Sequence, residues 1–365
     1  MNNRLSITIN KNKYKLAGLL SLLATTQLSA CNDTNEAAVM EKAPLTVSAF
    51  PLSDFENKDG WVLNTDVSDE FDGAALDEDR WFIVGKLDEN GQPIYKDPDH
   101  PDREVWIGRA PAQFSGRNVR LEDGMLKIST RWEPDFPFTT EQGLDNVNYK
   151  YENFTTAAII NRNLFRYGYI EVRAKAADAE VSSALWFTRH EVKNGQRNDT
   201  ELELDVFEHF GSHRMEGQAH RDRDLWWTVH DWDPKYGHEN GKNVTYTETK
   251  DLGFRVAEKF HTYGFEWTET GMRYFVDGKL VSDVSVAEVE EFAKKKGRDR
   301  GYVIDKAMHL WLDSESFPWR GFPDSKADLE ANSPEGEKDD GIVDFEVEYL
   351  RVWQKPEHMT YKLDH

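Results

Sequence analysis

In the stretch Glu201–Gly211, ELELDVFEHFG, the acids Glu203, Asp205 and Glu208 stand inside a run that otherwise has the character of a buried β-strand. Along a strand successive side chains alternate between faces, so Leu202, Leu204 and Val206 share one face while Glu201, Glu203 and Asp205 share the other. Regular alternation would put Glu208 on the apolar side. One extra residue after Val206, a β-bulge, returns it to the side of Glu203 and Asp205, and bulges recur beside active sites because they re-aim side chains. Three carboxylates then line one cleft. Two carboxylates flanking a glycosidic bond can hydrolyse it: at ~5–5.5 Å one attacks the anomeric carbon, and at ~6.5–9.5 Å a water is admitted instead. In-phase positions two residues apart on a strand are separated by ~6.5–7 Å at the backbone, which does not choose between the two. A third carboxylate between the pair raises the proton affinity of its neighbours, as a general acid near neutral pH requires, and Asp205 is placed to do so. The same letters also fit an exposed helix with an acidic stripe of Glu201, Asp205 and Glu208, and the local pattern leaves both readings open.

The longer sequence favours the strand. Glu-Leu-Asp-Val-Phe-Glu, residues 203–208, resembles the E-x-D-x-x-E signature of glycoside hydrolase family 16 in its bulged form. Val67 to Trp81 is similar to that family's opening segment and Tyr167 to Lys175 to the strand before its active-site region. Ala184-Leu185-Trp186-Phe187 stands where the family carries a cleft tryptophan. Phe260 to Gly278 resembles its later hairpin and Val343 to Trp353 its closing strand, so the ordered likeness spans about residues 61 to 355. The resemblance implies an all-β jelly-roll sandwich with a concave cleft and retaining hydrolysis of a β-linked polysaccharide. It further implies Glu203 as nucleophile, Glu208 as general acid/base and Asp205 as the assisting acid. It requires no cofactor, although the family often carries a structural calcium, for which Glu70 and Asp344 lie in the relevant segments.

Sugar clefts use flat apolar faces to stack on pyranose rings and forked donors to fix hydroxyls or sulfates. The chain has 12 Trp, several beside Arg or His: Trp106 with Arg109, Trp186 with Arg189, His220 before Trp226, and Trp319 with Arg320. Core packing accounts equally well for any single Trp, but Trp–Arg clusters fit a core poorly, since a buried Arg needs a partner. Trp106 to Val119 and Met308 to Arg320 resemble segments of the family's red-algal galactanases, the agarases, porphyranases and carrageenases, and put Glu315 forward as a substrate contact. Ser314 and the Phe317-Pro318 insert depart from the agarase pattern. The expected substrate is therefore a red-algal β-galactan, with a laminarinase-like β-glucanase or a non-catalytic sugar-binding surface protein as the alternatives.

These residues need positioning elements, and 365 residues suffice for one large domain. Residues 1–30 read as a leader, with four basic residues before an apolar run too short to span a bilayer, and the small residues before Cys31 resemble a bacterial lipoprotein processing site. Cys31, the one cysteine, is the expected lipidation site, so the protein is expected in the cell envelope, on a membrane through acyl chains, or secreted. Residues 31–60 serve as tether and domain start, 61–356 as catalytic domain and 357–365 as tail. The net charge of -22 excludes nonspecific nucleic-acid binding, and a monomer is expected. Asp88 to Arg103 and Asp324 to Asp340 read as loops, and Val286 to Arg300 as a short surface helix ending near Gly297.

Overall fold

The computed structural model describes residues 50–98, 106–140, 149–189, 192–193, 196–197, 202–212, 219–232, 244–297, 304–334 and 339–359. They belong to one compact unit, Pro44–His365. Two large sheets dominate. One, of seven strands, carries the acids and runs in the order Val244–Asp251, Asp224–Asp231, Leu202–Phe210, Ser182–Arg189, His309–Asp313, Ala158–Asn161, Trp81–Ile83. Behind it, a ten-stranded sheet is centred on Gly168–Lys175 and the 13-residue strand Ile342–Gln354. Neighbours distant in sequence, such as Ser182–Arg189 beside His309–Asp313, give the crossovers of a jelly roll. The expected strands and hairpin all form, the hairpin as His261–Trp267 paired with Gly271–Val276.

Alternating apolar residues build the main core between the sheets. Leu202, Leu204, Phe187, Trp227 and Leu310 from the acid-bearing sheet meet Val172, Phe265, Trp267, Phe345 and Val347 from the backing sheet in a single buried cluster. Each such large side chain contributes about 1.5–3 kcal/mol on leaving water. Trp81, Trp227, Trp267 and Trp353 are fully buried, so for them core packing is the right reading.

Two of the expected loops contain structure. Lys86–Leu87 pairs with Pro93–Ile94 as a small hairpin where a loop from Asp88 was expected, because the Asp88 carboxylate closes the turn by accepting from the backbone N–H groups of Asn90 and Gln92. Within Asp324 to Asp340, the turn of helix Lys326–Leu329 is capped by Ser325. The surface helix runs Val286–Lys295, held by a capping box between Ser285 and Glu288, and Gly297 turns the chain away at φ +87°. Among the described residues no helix is long and apolar enough to cross a membrane.

Candidate active site

Against Ser182–Arg189, the acid-bearing strand pairs Glu203 with Thr188 and Asp205 with Trp186; the register then shifts, and Phe207 faces Leu185 and Glu208 faces Ala184. Val206 is the extra residue. It and Phe207 are consecutive, yet both enter the core, and the bulge thereby returns Glu208 to the face of Glu203 and Asp205. The phase break in the sequence therefore located the bulge. The next strand, Asp224–Asp231, sends Leu225, Trp227 and Val229 into the core and so presents Trp226, Thr228 and His230 on the acidic side.

His230 and Trp232 organise the first two acids. The Nε2 of His230 lies 3.2 Å from Asp205 Oδ2 and 3.8 Å from Glu203 Oε1. The Trp232 indole donates to the other oxygen of Glu203 at 3.0 Å, and its ring stacks on His230 at 5.1 Å. Sequence reading missed both residues, although Trp226, Thr228 and His230 alternate in LWWTVHDW as a cleft-facing strand requires. A fourth acid, Asp313, was missed as well. It is 2% exposed, accepts the Trp186 indole N–H at 2.7 Å, and joins the row Glu208–Ala184–Asp313 across three strands.

Burial governs the protonation of these groups. Asp205 is pushed up to about 8, first by burial and then by Glu315, with Arg109 opposing. Glu208 also rises to about 8, by burial and the neighbouring Asp205, against the pull of Arg320, His230 and Arg109. Asp313 lies well above the usual carboxylate range because it is buried beside Glu315 and Glu208. At neutral pH the site thus holds protonated carboxyls beside the Trp232-bound Glu203, which is the equipment for general acid catalysis with an adjacent nucleophile.

The aromatic walls are assembled differently from the expected sugar platforms. Trp186 stacks on Trp311 at 4.6 Å, and the pair joins Trp106 in an apolar layer over Phe82 and Ile160. The Trp106 indole donates to Glu315, and Arg109 Nε donates to the other Glu315 oxygen at 3.3 Å. Glu315 is therefore buried as an anchor for the loop bearing Trp106 and Arg109. In that loop Gly108, at φ +100°, approaches the Ala112 carbonyl too closely for a side chain. Arg109 lies 5.1–5.2 Å from the rings of Trp106, Phe317 and Trp319, and Trp319 is 56% exposed, a rim position open to a sugar. Trp226 instead has a face covered by the buried Arg320 guanidinium at 3.5 Å. Arg189 does not join Trp186: it shares the phase of Leu185 and Phe187, the core-facing set, at the strand's end. His220 lies in the 3-10 turn Ala219–Arg223, and its side chain is outside the described residues, as is Cys31.

The expected calcium pair is not a site. Arg351 grips both oxygens of Glu70 at 2.7 Å, and Arg120 grips both oxygens of Asp344, which also accepts from Ser129. Seven residues separate Asp344 from Arg351 along one strand, a span of about 23 Å. One ion cannot reach both acids, and a guanidinium already supplies each with positive charge.

Three comparisons fit this arrangement. The family described as Beta-porphyranase A-D, GH16 domain, matches residues 61–355. A relative called beta-porphyranase B from Zobellia galactanivorans is 26% identical over 297 residues, covering 80% of this chain and 85% of its own; another of that name from Phocaeicola plebeius is 26% identical over 280 residues, covering 71% and 76%. The crystal structure of porphyranase B from Zobellia galactanivorans aligns with a TM-score of 0.56 at 26% identity, over 80% of this chain and 92% of that one.

Proposed function

This chain belongs to the family of β-porphyranase A-D glycoside hydrolase domains, and from that membership we propose that it cleaves porphyran-type red-algal galactan at internal β-galactosidic bonds with retention of configuration. It is a glycoside hydrolase of family 16, and endo-hydrolysis of red-algal galactan is what that family supports. The observation that carries the assignment to these residues is the bulge at Val206, which puts Glu203, Asp205 and Glu208 on one face.

In this reading Glu203 attacks the anomeric carbon while Glu208 gives its proton to the departing glycosidic oxygen, leaving a galactosyl ester on Glu203. Glu208, now a carboxylate, takes a proton from water, which displaces the ester and restores both acids. The Trp232 indole fixes the attacking carboxylate without carrying a charge that would quench it. Burial first, and Asp205 beside it second, raise the proton affinity of Glu208, so the acid is loaded at neutral pH. Trp319, with Arg109 beneath it, holds a sugar residue at the rim of the cleft, and Cys31 carries acyl chains that keep the enzyme in the cell envelope.

Digestion of porphyran, agarose, κ-carrageenan, furcellaran and laminarin with sizing of the products tests the substrate. A ladder of oligosaccharides from porphyran is expected, and cleavage of laminarin alone would overturn the galactan assignment. Incorporation of labelled palmitate into wild type but not Cys31→Ala tests the anchor, and equal labelling would refute it.

A further inference from the structure

The geometry points to a divalent transition-metal site formed by Glu203, Asp205 and His230, whose occupation by a zinc-like ion silences the enzyme. Among the described residues these are the three that offer one donor atom each, all within 4.8 Å of one another. A tetrahedral ion with bonds of ~2.0–2.1 Å sets its ligand atoms ~3.3–3.5 Å apart. The distances from His230 Nε2, 3.2 Å to Asp205 Oδ2 and 3.8 Å to Glu203 Oε1, bracket that edge, so small side-chain rotations would close three corners. A fourth corner would be filled by water.

The surroundings resemble those that hold metal ligands in place. Imidazole and carboxylate ligands are normally oriented by outer partners on their remaining atoms. Here the second oxygen of Glu203 already accepts the Trp232 indole N–H at 3.0 Å, and the same indole stacks on His230 at an interplanar angle of 16°. One residue therefore restrains two ligands. The imidazole selects for zinc, copper or nickel over calcium and magnesium, which prefer all-oxygen shells. This differs from the calcium expected on Glu70 and Asp344, which lie among the arginines of the backing sheet and its flank.

The bound ion would accept the lone pair that Glu203 needs for attack, so no ester could form. That consequence rests on Glu203 being the nucleophile; the binding itself does not. Zinc is the probe, titrated calorimetrically into tag-free full-length protein. One saturable ion per chain is expected, neither calcium nor magnesium should compete, and His230→Gln should weaken zinc by more than about tenfold, since losing even an outer-shell partner costs ~10–100-fold. Glu203→Gln provides a second variant, and near-ultraviolet circular dichroism confirms that both are folded. Absence of saturable zinc, unchanged affinity in the folded variants, or equal affinity for calcium would overturn the site. Zinc inhibition of galactan cleavage should be competitive; because the titration needs no turnover, a failed substrate assignment and a failed metal site give separate results.

Discussion

The two sheets treat their acids in opposite ways. On the backing sheet and its flank, carboxylates meet full positive charges: Arg120 on Asp344, Arg351 on Glu70, Arg173 on Glu348 at 2.6 Å and Arg273 on Glu266 at 2.5 Å. In the cleft, indoles donate to three acids, Trp232 to Glu203, Trp186 to Asp313 and Trp106 to Glu315, and Glu315, at the edge of the group, also takes the Arg109 guanidinium at 3.3 Å. A guanidinium orients a carboxylate and also lowers its proton affinity; an indole N–H is a neutral donor. The cleft thereby gains fixed geometry while Asp205, Glu208 and Asp313 keep the raised proton affinity that burial gives them. The backing sheet is built for stability, and the cleft for proton transfer.

The largest break in that contrast should come from Glu203→Gln, which leaves the fold intact but removes the nucleophile; galactan hydrolysis should fall by at least about 10⁴-fold, read by reducing-end release. Trp232→Phe keeps the aromatic stack and deletes only the donor. Here kcat should drop about 10–100-fold with melting temperature nearly unchanged, and an unaltered kcat would show that the indole has no part in placing Glu203.

A pH series sharpens the comparison further. The acid/base must be protonated, so kcat/KM should decline as pH rises through about 8, and the Asp205→Asn variant should move that limb downward. Stability has a definite sign as well. The ordinary pKa values of these side chains are 3.8 for Asp205 and 4.5 for Glu208, and the folded chain raises both to about 8. Between those limits the folded state holds more protons than the unfolded one. Stability is therefore greatest at the acid end of this window and falls as pH rises to about 8. Chemical denaturation of wild type and Asp205→Asn across the window should show a shallower fall in the variant.

On the other sheet, Arg351→Met should cost about 1–3 kcal/mol of unfolding free energy, because the charge-assisted bonds to Glu70 are lost, while kcat/KM stays at the wild-type value. Calcium removal should have the smallest effect of all: with arginines on Glu70 and Asp344, the melting temperature of zinc-free protein should not change on adding the calcium chelator EGTA.

The same contrast explains what could be read from the sequence. The bulge was legible because it breaks a period of two, and Val206 with Phe207 in the core is the direct result. The surface helix with its Gly297 turn was legible because it is local, and the other strand segments were legible through their resemblance to family 16. Arg189 was misplaced by sequence neighbourhood, where its phase with Leu185 and Phe187 already pointed away from Trp186. Trp226 looked like a sugar platform because nothing local reveals that Arg320, 94 residues on, covers it. His230 and Trp232 stand on and just past the next strand, and Asp313 on a strand far along the chain. Only pairing across the sheet brings them to Glu203 and Glu208, and that pairing is a property of the fold rather than of any short segment.

The most direct test is proton NMR of a fresh porphyran digest, following the anomeric signals of the new reducing ends before mutarotation. Attack by Glu203 with proton donation from Glu208 predicts that β-galactose ends appear first and the α form later. First appearance of the α form would contradict a nucleophilic Glu203, and the absence of new ends would contradict the proposed substrate.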